Sequence, residues 1–356
     1  MADKFRIDSH KLMFHPERVS NWLEGENTYP IYMEISPSGA CNNRCVFCGK
    51  DFMEYKPRFL DTEVLKVRLK EMAELGVKSI MHAGEGEPFL HKDMAEIVRY
   101  GKSVGIDQAF TTNASLMKPE IAEQILEHTT WIKASCNAGT PESYAKIHRT
   151  KASDFNKVLE NMEAAVKLRA KHGYACTLGM QILLLPETQH EVVGLAEKAR
   201  DIGLDYLVVK PYSHHPKSLC QGYKDVDYSH LENLGEELAK TATPTFQPLL
   251  RLHAIDKWQA KDHSYNRCLG LPFWAYMDAG GTVWGCSMFL NDDRFNYGNI
   301  NDQTFREIWE GEKRTEAMKW FNEKFDSSSC RVNCRMDEVN RYLWELKHPG
   351  AHVNFI

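Results

Sequence analysis

The chain has 356 residues, a net charge of −5, 43% hydrophobic and 26% charged residues, which is ordinary for a soluble globular protein and leaves room for about two domains. That charge provides no global basic field for nucleic acid, no window approaches the roughly 18 apolar residues of a membrane span, and the N-terminus MADKFRIDSHKLMFH lacks the apolar core of a secretory signal. Ten cysteines without an export signal point to metal binding rather than disulfides, and to a cytoplasmic, oxygen-sensitive protein without nucleic-acid or membrane partners.

Residues 1–25 are taken as an N-terminal extension. Between residues 30 and 240, short apolar runs alternate with amphipathic stretches, the pattern of a parallel sheet covered by helices. Ile31 to Ser36 reads as the first strand. A helix over 61–75 follows, with Asp61 as N-cap and Gly76 as its stop. VKSIMHAG, HKDMAEIVRYGKSVG, DQAFTTNA and PEIAEQILEH supply strand, helix, strand, helix. WIKASCNAG, a helix over 154–171, CTLGMQILLLP, a helix over 191–202, YLVVKPY and a helix over 229–240 complete six β/α units. Six units rather than eight make an open α/β barrel over 26–240, with all strand C-termini on one rim. Residues 241–260 read as a connector. Beyond it, over 261–340, FWAYMDAGGTVWGCSMF predicts a hairpin turning at Asp278–Gly281 and a helix is expected over 304–324; 341–356 read as a tail.

Cys41, Cys45 and Cys48 place three thiolates within eight residues on the loop after the first strand. A cubane iron-sulfur cluster takes four ligands, so such a set leaves one iron open. A zinc knuckle would want a fourth His or Cys close by, and the next is His82, behind a helical segment. Cys268, Cys286, Cys330 and Cys334 form a second set. Its spacing alone fits a zinc site as well as a cluster.

Cys-x3-Cys-x2-Cys resembles the signature of the radical S-adenosylmethionine (radical SAM) superfamily. The resemblance implies a TIM-like partial barrel, a 4Fe-4S cluster on Cys41, Cys45 and Cys48 whose open iron takes S-adenosyl-L-methionine, and a reductant such as flavodoxin or ferredoxin. It implies that Phe47 packs near the adenine. Ala83 to Pro88 resembles the family's Gly-Gly-Glu-Pro segment, with Gly86 and Glu87 matching and Glu85 replacing the first Gly. Thr111 to Leu116 is similar to its Thr-Asn-Gly segment, making Asn113 a candidate contact. Ser135 and Arg149 resemble the strand-four residues that hold the cofactor's carboxylate and ribose, a task a guanidinium suits. Gln181 on strand five is a candidate for the ribose.

The second cysteine set, with the following FNYGNI and FREIWEGEKR, resembles the Twitch module, a shortened SPASM domain with one auxiliary 4Fe-4S cluster. Four thiols close that site, which suits electron transfer. Its closed form resembles that of radical SAM alcohol dehydrogenases and suggests oxidation of an alcohol in a small carbohydrate, cyclitol or nucleotide-linked sugar. Lys210 and Tyr212, in a loop that also carries His214 and His215, are candidates for contacting that substrate. The alternatives are an epimerase, with Cys136 or Cys220 returning a hydrogen atom, a peptide maturase, and a non-catalytic iron-sulfur or zinc protein. Cys176 lies at the far end of strand five. The short stretch before Cys41 ranks peptide maturation lower.

Overall fold

The structure, a computed structural model, describes residues 4–7, 9–231, 233–260 and 263–355. A proline in its first turn opens α1 (Pro16–Leu23). The β/α repeats follow as β1 (Tyr32–Ile35), α2 (Thr62–Glu74), β2 (Ser79–His82), α3 (Met94–Ser103), β3 (Asp107–Thr112) and α4 (Pro119–Ile125). They continue as β4 (Thr129–Ser135), α5 (Pro141–His148), α6 (Ser153–His172), β5 (Thr177–Leu184), α7 (Val192–Asp201), β6 (Tyr206–Pro211) and α8 (Leu234–Ala239). Asp61 caps α2 as expected, its carboxylate accepting from the Val64 amide at 2.9 Å. All neighbouring pairs from β1 to β6 are parallel.

Alternation along these strands sorts the side chains onto two faces. Met33, Ile35, Ile132, Ala134, Leu207 and Val209 join one core with the covering helices. The intervening Glu34, Lys133, Ser135, Val208 and Lys210 therefore face the barrel lumen.

Beyond β6 the structure departs from the sequence expectation. The stretch read as a connector contains β7 (Gln247–Leu250), parallel to β6, and α9 (Leu252–Ala260). The hairpin of β8 (Trp274–Met277) and β9 (Thr282–Trp284) joins the barrel sheet: β8 lies parallel to β1, with Tyr32 opposite Trp274, and β10 (Asn296–Asn299) lies antiparallel to β9. The result is one open sheet of ten strands, ordered β10-β9-β8-β1-β2-β3-β4-β5-β6-β7. Gly281 takes φ +86° in the hairpin turn, where its freedom is required. The long helix expected near 304–324 is two, α10 (Phe305–Glu310) and α11 (Glu312–Lys324), parted at the extended Gly311. The expected boundary at 261 lies outside the described residues, and α12 (Asp337–Lys347) runs into the segment read as a tail. Among the described residues no helix is long and apolar enough to cross a membrane.

Candidate active site

The cysteine loop leaves β1 at the C-terminal rim and is held by backbone bonds to α5, Arg44 and Val46 donating to the carbonyls of His148 and Ile147 at 3.1 and 2.9 Å. Burial, and then the charges of Cys48 and Cys41, push the Cys45 thiol well up, so the three sulfurs act on one another. The Asn43 amide lies 3.5 Å from the Cys41 sulfur, and the Tyr55 hydroxyl lies against Cys48.

His148 completes this arrangement. Its Nε2 accepts from the Asn137 amide at 3.1 Å, so the single hydrogen of a neutral ring sits on Nδ1, 3.2 Å from the Cys45 sulfur. Burial pushes its pKa down to about 3, consistent with that neutral form. The ring stacks on Tyr144 at 4.1 Å and meets the edge of Phe47 at 5.6 Å. No signal in the sequence assigned a role to His148; its contact with the cluster loop arises only when α5 closes over that loop.

Gly86 lies so close under the loop that a Cβ there would sit 2.2 Å from the Ala40 carbonyl oxygen and 2.3 Å from that of Ser38. Glu87 is buried. Its carboxylate accepts from the Asn113 amide at 2.8 Å, the Phe89 amide at 3.2 Å and the Thr112 hydroxyl. Burial raises its pKa, outweighing those three bonds. The side chain thus joins the end of β2 to the end of β3. Glu85 reaches the other way, accepting from Arg58 at 2.9 Å and from the Ala279 amide in the β8–β9 turn at 2.7 Å. The residue standing where the family has glycine therefore ties the barrel loop to the C-terminal hairpin.

Asn113 bonds Asn42 of the cysteine loop at 2.8 Å. The next residue, Ala114, has φ +59°, a left-handed geometry that accounts for the family's glycine there. Ser135 and Gln181 are partners in the β4–β5 register, and the Gln181 amide donates to Ser135 at 2.9 Å. The Gln181 Oε1 is buried with no protein partner among the described residues. An orphaned acceptor at the rim fits a ligand hydroxyl. Arg149 is exposed at the left-handed C-terminus of α5, and the structure does not bring it to Ser135.

The remaining candidates separate. Cys136 follows Ser135 onto the helix-facing side of β4 and is fully buried, burial pushing its thiol up to about 12. Cys176, also buried, packs in the same core. Tyr212 is buried in a small core with Ile147, Leu185 and Tyr223. The loop after β6 bridges the two cysteine regions: Ser218 donates to the Cys48 carbonyl at 3.1 Å, His215 bonds the Ser287 carbonyl at 3.1 Å, and Ser213 the Asn333 carbonyl at 3.1 Å. The Cys220 amide donates to Asp51 at 3.2 Å within it. His214 packs beside Tyr212, 6.2 Å between ring centres. Of this segment, Lys210 alone among the expected substrate contacts faces the lumen.

Cys268, Cys286, Cys330 and Cys334 line one apolar cavity with Trp274, Phe289 and other side chains. N–H groups approach three of the sulfurs: the Met288 amide to Cys286 at 3.4 Å, the Met336 amide to Cys334 at 3.4 Å, and Asn340 Nδ2 to Cys268 at 3.6 Å. The Asn340 oxygen accepts from the Leu269 and Gly270 amides, which fixes its NH2 toward the sulfur. A hydrogen bond from Cys330 holds the Cys334 thiol down toward its thiolate. Thiolates with N–H donors in an apolar cradle suit an iron-sulfur cluster. Among the described residues no three His, Cys, Asp or Glu side chains converge as for one metal ion; a cubane, bound at separate corners, takes a wider cradle.

An open β/α barrel with a three-cysteine loop on its rim and a four-cysteine cavity beside it defines a radical SAM enzyme with an auxiliary iron-sulfur site. The model of the radical SAM superfamily matches residues 35–199, and that of SPASM, an iron-sulfur cluster-binding domain, matches residues 268–335, so the chain carries a radical SAM domain followed by a SPASM domain. Its cofactors are S-adenosyl-L-methionine and two iron-sulfur clusters, one for each domain. Among curated relatives, the AdoMet-dependent heme synthase of Methanosarcina barkeri is 26% identical over 293 residues, 77% of this chain and 80% of the relative. A probable GTP 3',8-cyclase of Methanocaldococcus jannaschii is 26% identical over 228 residues, 63% and 72%. Among solved structures, Streptococcus suis SuiB bound to the precursor peptide SuiA superposes with TM-score 0.62 at 17% identity, covering 85% of this chain and 69% of that one. Native anSMEcpe with bound AdoMet and the Cp18Cys peptide superposes with TM-score 0.54 at 18% identity, covering 88% of each. These structural likenesses bear on the fold alone.

Proposed function

We propose that the protein takes a hydrogen atom from an alcohol carbon of a small polar substrate, a carbohydrate, cyclitol or nucleotide-linked sugar, and releases the corresponding ketone. Cys41, Cys45 and Cys48 would hold the first cluster, and Cys268, Cys286, Cys330 and Cys334 the second. When bound, the clusters and S-adenosylmethionine supply a carbon-centred radical that removes the hydrogen and an acceptor for the remaining electron. The observation that carries this reading is the four-thiol cavity, whose complete ligand set leaves no position for substrate and suits electron transfer.

Ser135 and Gln181, bonded to each other at the rim, would orient the cofactor's ribose and carboxylate. Lys210 faces the lumen, where burial and the neighbouring cations Lys133, Arg251, Arg335 and Arg331 push its ammonium well below the ordinary range. A lysine whose charged form is disfavoured in this way suits acceptance of the substrate hydroxyl proton. The position of Cys136 behind β4 weighs against an epimerase that uses its thiol. A small-molecule substrate and an external one-electron donor such as flavodoxin or ferredoxin are the partners this reading requires.

The test is a substrate screen with the anaerobically reconstituted enzyme, following deuterium from labelled alcohols into 5'-deoxyadenosine. The expected outcome is one ketone per S-adenosylmethionine with no solvent deuterium in the product. Solvent deuterium at an inverted carbon would establish an epimerase, and a cross-linked peptide product a maturase.

A further inference from the structure

The lumen carries cations out of proportion to its carboxylates. Lys133 on β4 and Lys210 on β6 face inward, and Lys50, Arg331 and Arg335 approach from the cysteine loop and the C-terminal segment. Two carboxylates act on this group, and both are already matched: Glu34 by Arg335 at 2.9 Å and Glu85 by Arg58 at 2.9 Å. Among the described residues neither Lys133 nor Lys210 forms an ion pair; the Lys133 ammonium rests 5.6 Å from the Trp131 ring centre. The Arg331 Nε is buried without a hydrogen-bond partner among the described residues.

Some of this charge has a local counterpart. Arg331 and Arg335 adjoin Cys330 and Cys334, and Lys50 feels the Cys286 thiol, so these three offset a negative cluster. Lys133 does not fit that account. The groups acting on it are Arg335, Arg251 and Glu34, with no thiol among them. Lys133 also lies one strand repeat below Ser135 on the same lumen-facing side of β4, deeper in the barrel than the rim. Burial, and then the positive charges of Arg335 and Arg251, push its ammonium down to about 7 against the opposing charge of Glu34.

We propose that the lumen binds a substrate bearing an anionic group, carboxylate or phosphate, seated on Lys133. This rests on the radical SAM reading and sharpens its substrate class: the reacting alcohol belongs to an acid or phosphate ester rather than a neutral sugar. Charge-assisted hydrogen bonds in a partly desolvated lumen are strong enough to select for such groups.

The test uses the reconstituted holoenzyme with S-adenosylmethionine in anaerobic calorimetry, with glutarate, fructose 1,6-bisphosphate and neutral fructose as probes. At least one anion is expected to bind saturably, at least about tenfold more weakly in Lys133→Gln, with affinity restored in Lys133→Arg. Which anion binds identifies carboxylate or phosphate. If neither binds more tightly than fructose, or if Lys133→Gln binds as the wild type does, the proposal is overturned. Iron content is measured for each variant. Should Lys133→Gln lose iron, salt titration of the wild type decides, since binding insensitive to KCl also overturns the proposal. Formation of 5'-deoxyadenosine by the wild type with dithionite is scored separately: its absence overturns the radical SAM reading and leaves anion binding to be judged by itself.

Discussion

Glu87→Gln separates a structural role for this glutamate from the cofactor contact that its motif suggests. In the structure Oε2 faces the Asn113 amide at 2.8 Å, while Oε1 faces the Phe89 amide at 3.2 Å and the Thr112 hydroxyl. The Thr112 oxygen already accepts from the Ala114 amide at 2.9 Å, so its proton is directed at Glu87. Every neighbour donates. A glutamine therefore turns its NH2 toward at least one donor whichever way it is oriented, leaving a buried N–H or O–H unpaired at a cost of about 2–4 kcal/mol. For a chain of this size that corresponds to a fall of about 3–5 °C in Tm. The assay is anaerobic thermal unfolding of the reconstituted protein without S-adenosylmethionine, beside calorimetric titration of the cofactor. A Tm within about 1 °C of wild type, together with weakened cofactor binding, would refute the argument and restore Glu87 as a direct cofactor ligand.

Three further outcomes are expected. Burial lowers the pKa of His82 to about 4 and, in largest part, those of His148 and His215 to about 3, against about 6.5 in the unfolded chain. Below that unfolded value the unfolded state binds protons that the native state refuses, so stability falls as pH drops from about 6.5 toward 4, by up to about 4 kcal/mol per pH unit for the three together. Urea unfolding across that range checks it, and a flat profile would show that these rings are not buried neutral. His148→Phe removes the N–H directed at Cys45 while keeping a ring on Tyr144; the first cluster should become harder to reduce, read by anaerobic redox titration followed by electron paramagnetic resonance. An unchanged potential would assign His148 to packing alone. The fully reconstituted chain should hold about eight irons, and combined replacement of Cys41, Cys45 and Cys48 by Ala should leave about four with no 5'-deoxyadenosine formed; zinc in the remaining site would contradict an electron-accepting auxiliary cluster.

Local patterns carried much of this protein in its sequence. The period-two and helical alternations placed six β/α units, Asp61 announced the start of α2, Gly281 announced the hairpin turn, and the two cysteine spacings announced two ligand sets, because each of these signals depends on residues close together in the chain. What lay beyond reach was pairing at long range. Gln247–Leu250 gave no strand signal of its own and becomes one by adding to the edge at β6. The pairing of β8 with β1 joins residues more than two hundred positions apart and places the four-cysteine cavity beside the barrel. That closure gives Glu85 its partner at Ala279, and the folding of α5 over the cysteine loop directs the His148 N–H at Cys45. Facing also had to come from the fold. The adjacent Ser135 and Cys136 look equally available in the sequence, yet strand alternation turns one toward the rim opening and the other into the helix layer. The same alternation gathers Lys133 and Lys210, far apart in the chain, into one lumen. The sequence by itself determined the ligand sets and the order of elements, since both are encoded in short spacings. Only the tertiary structure decided which charges, donors and thiols share a space, because that depends on strand register and on which edges meet.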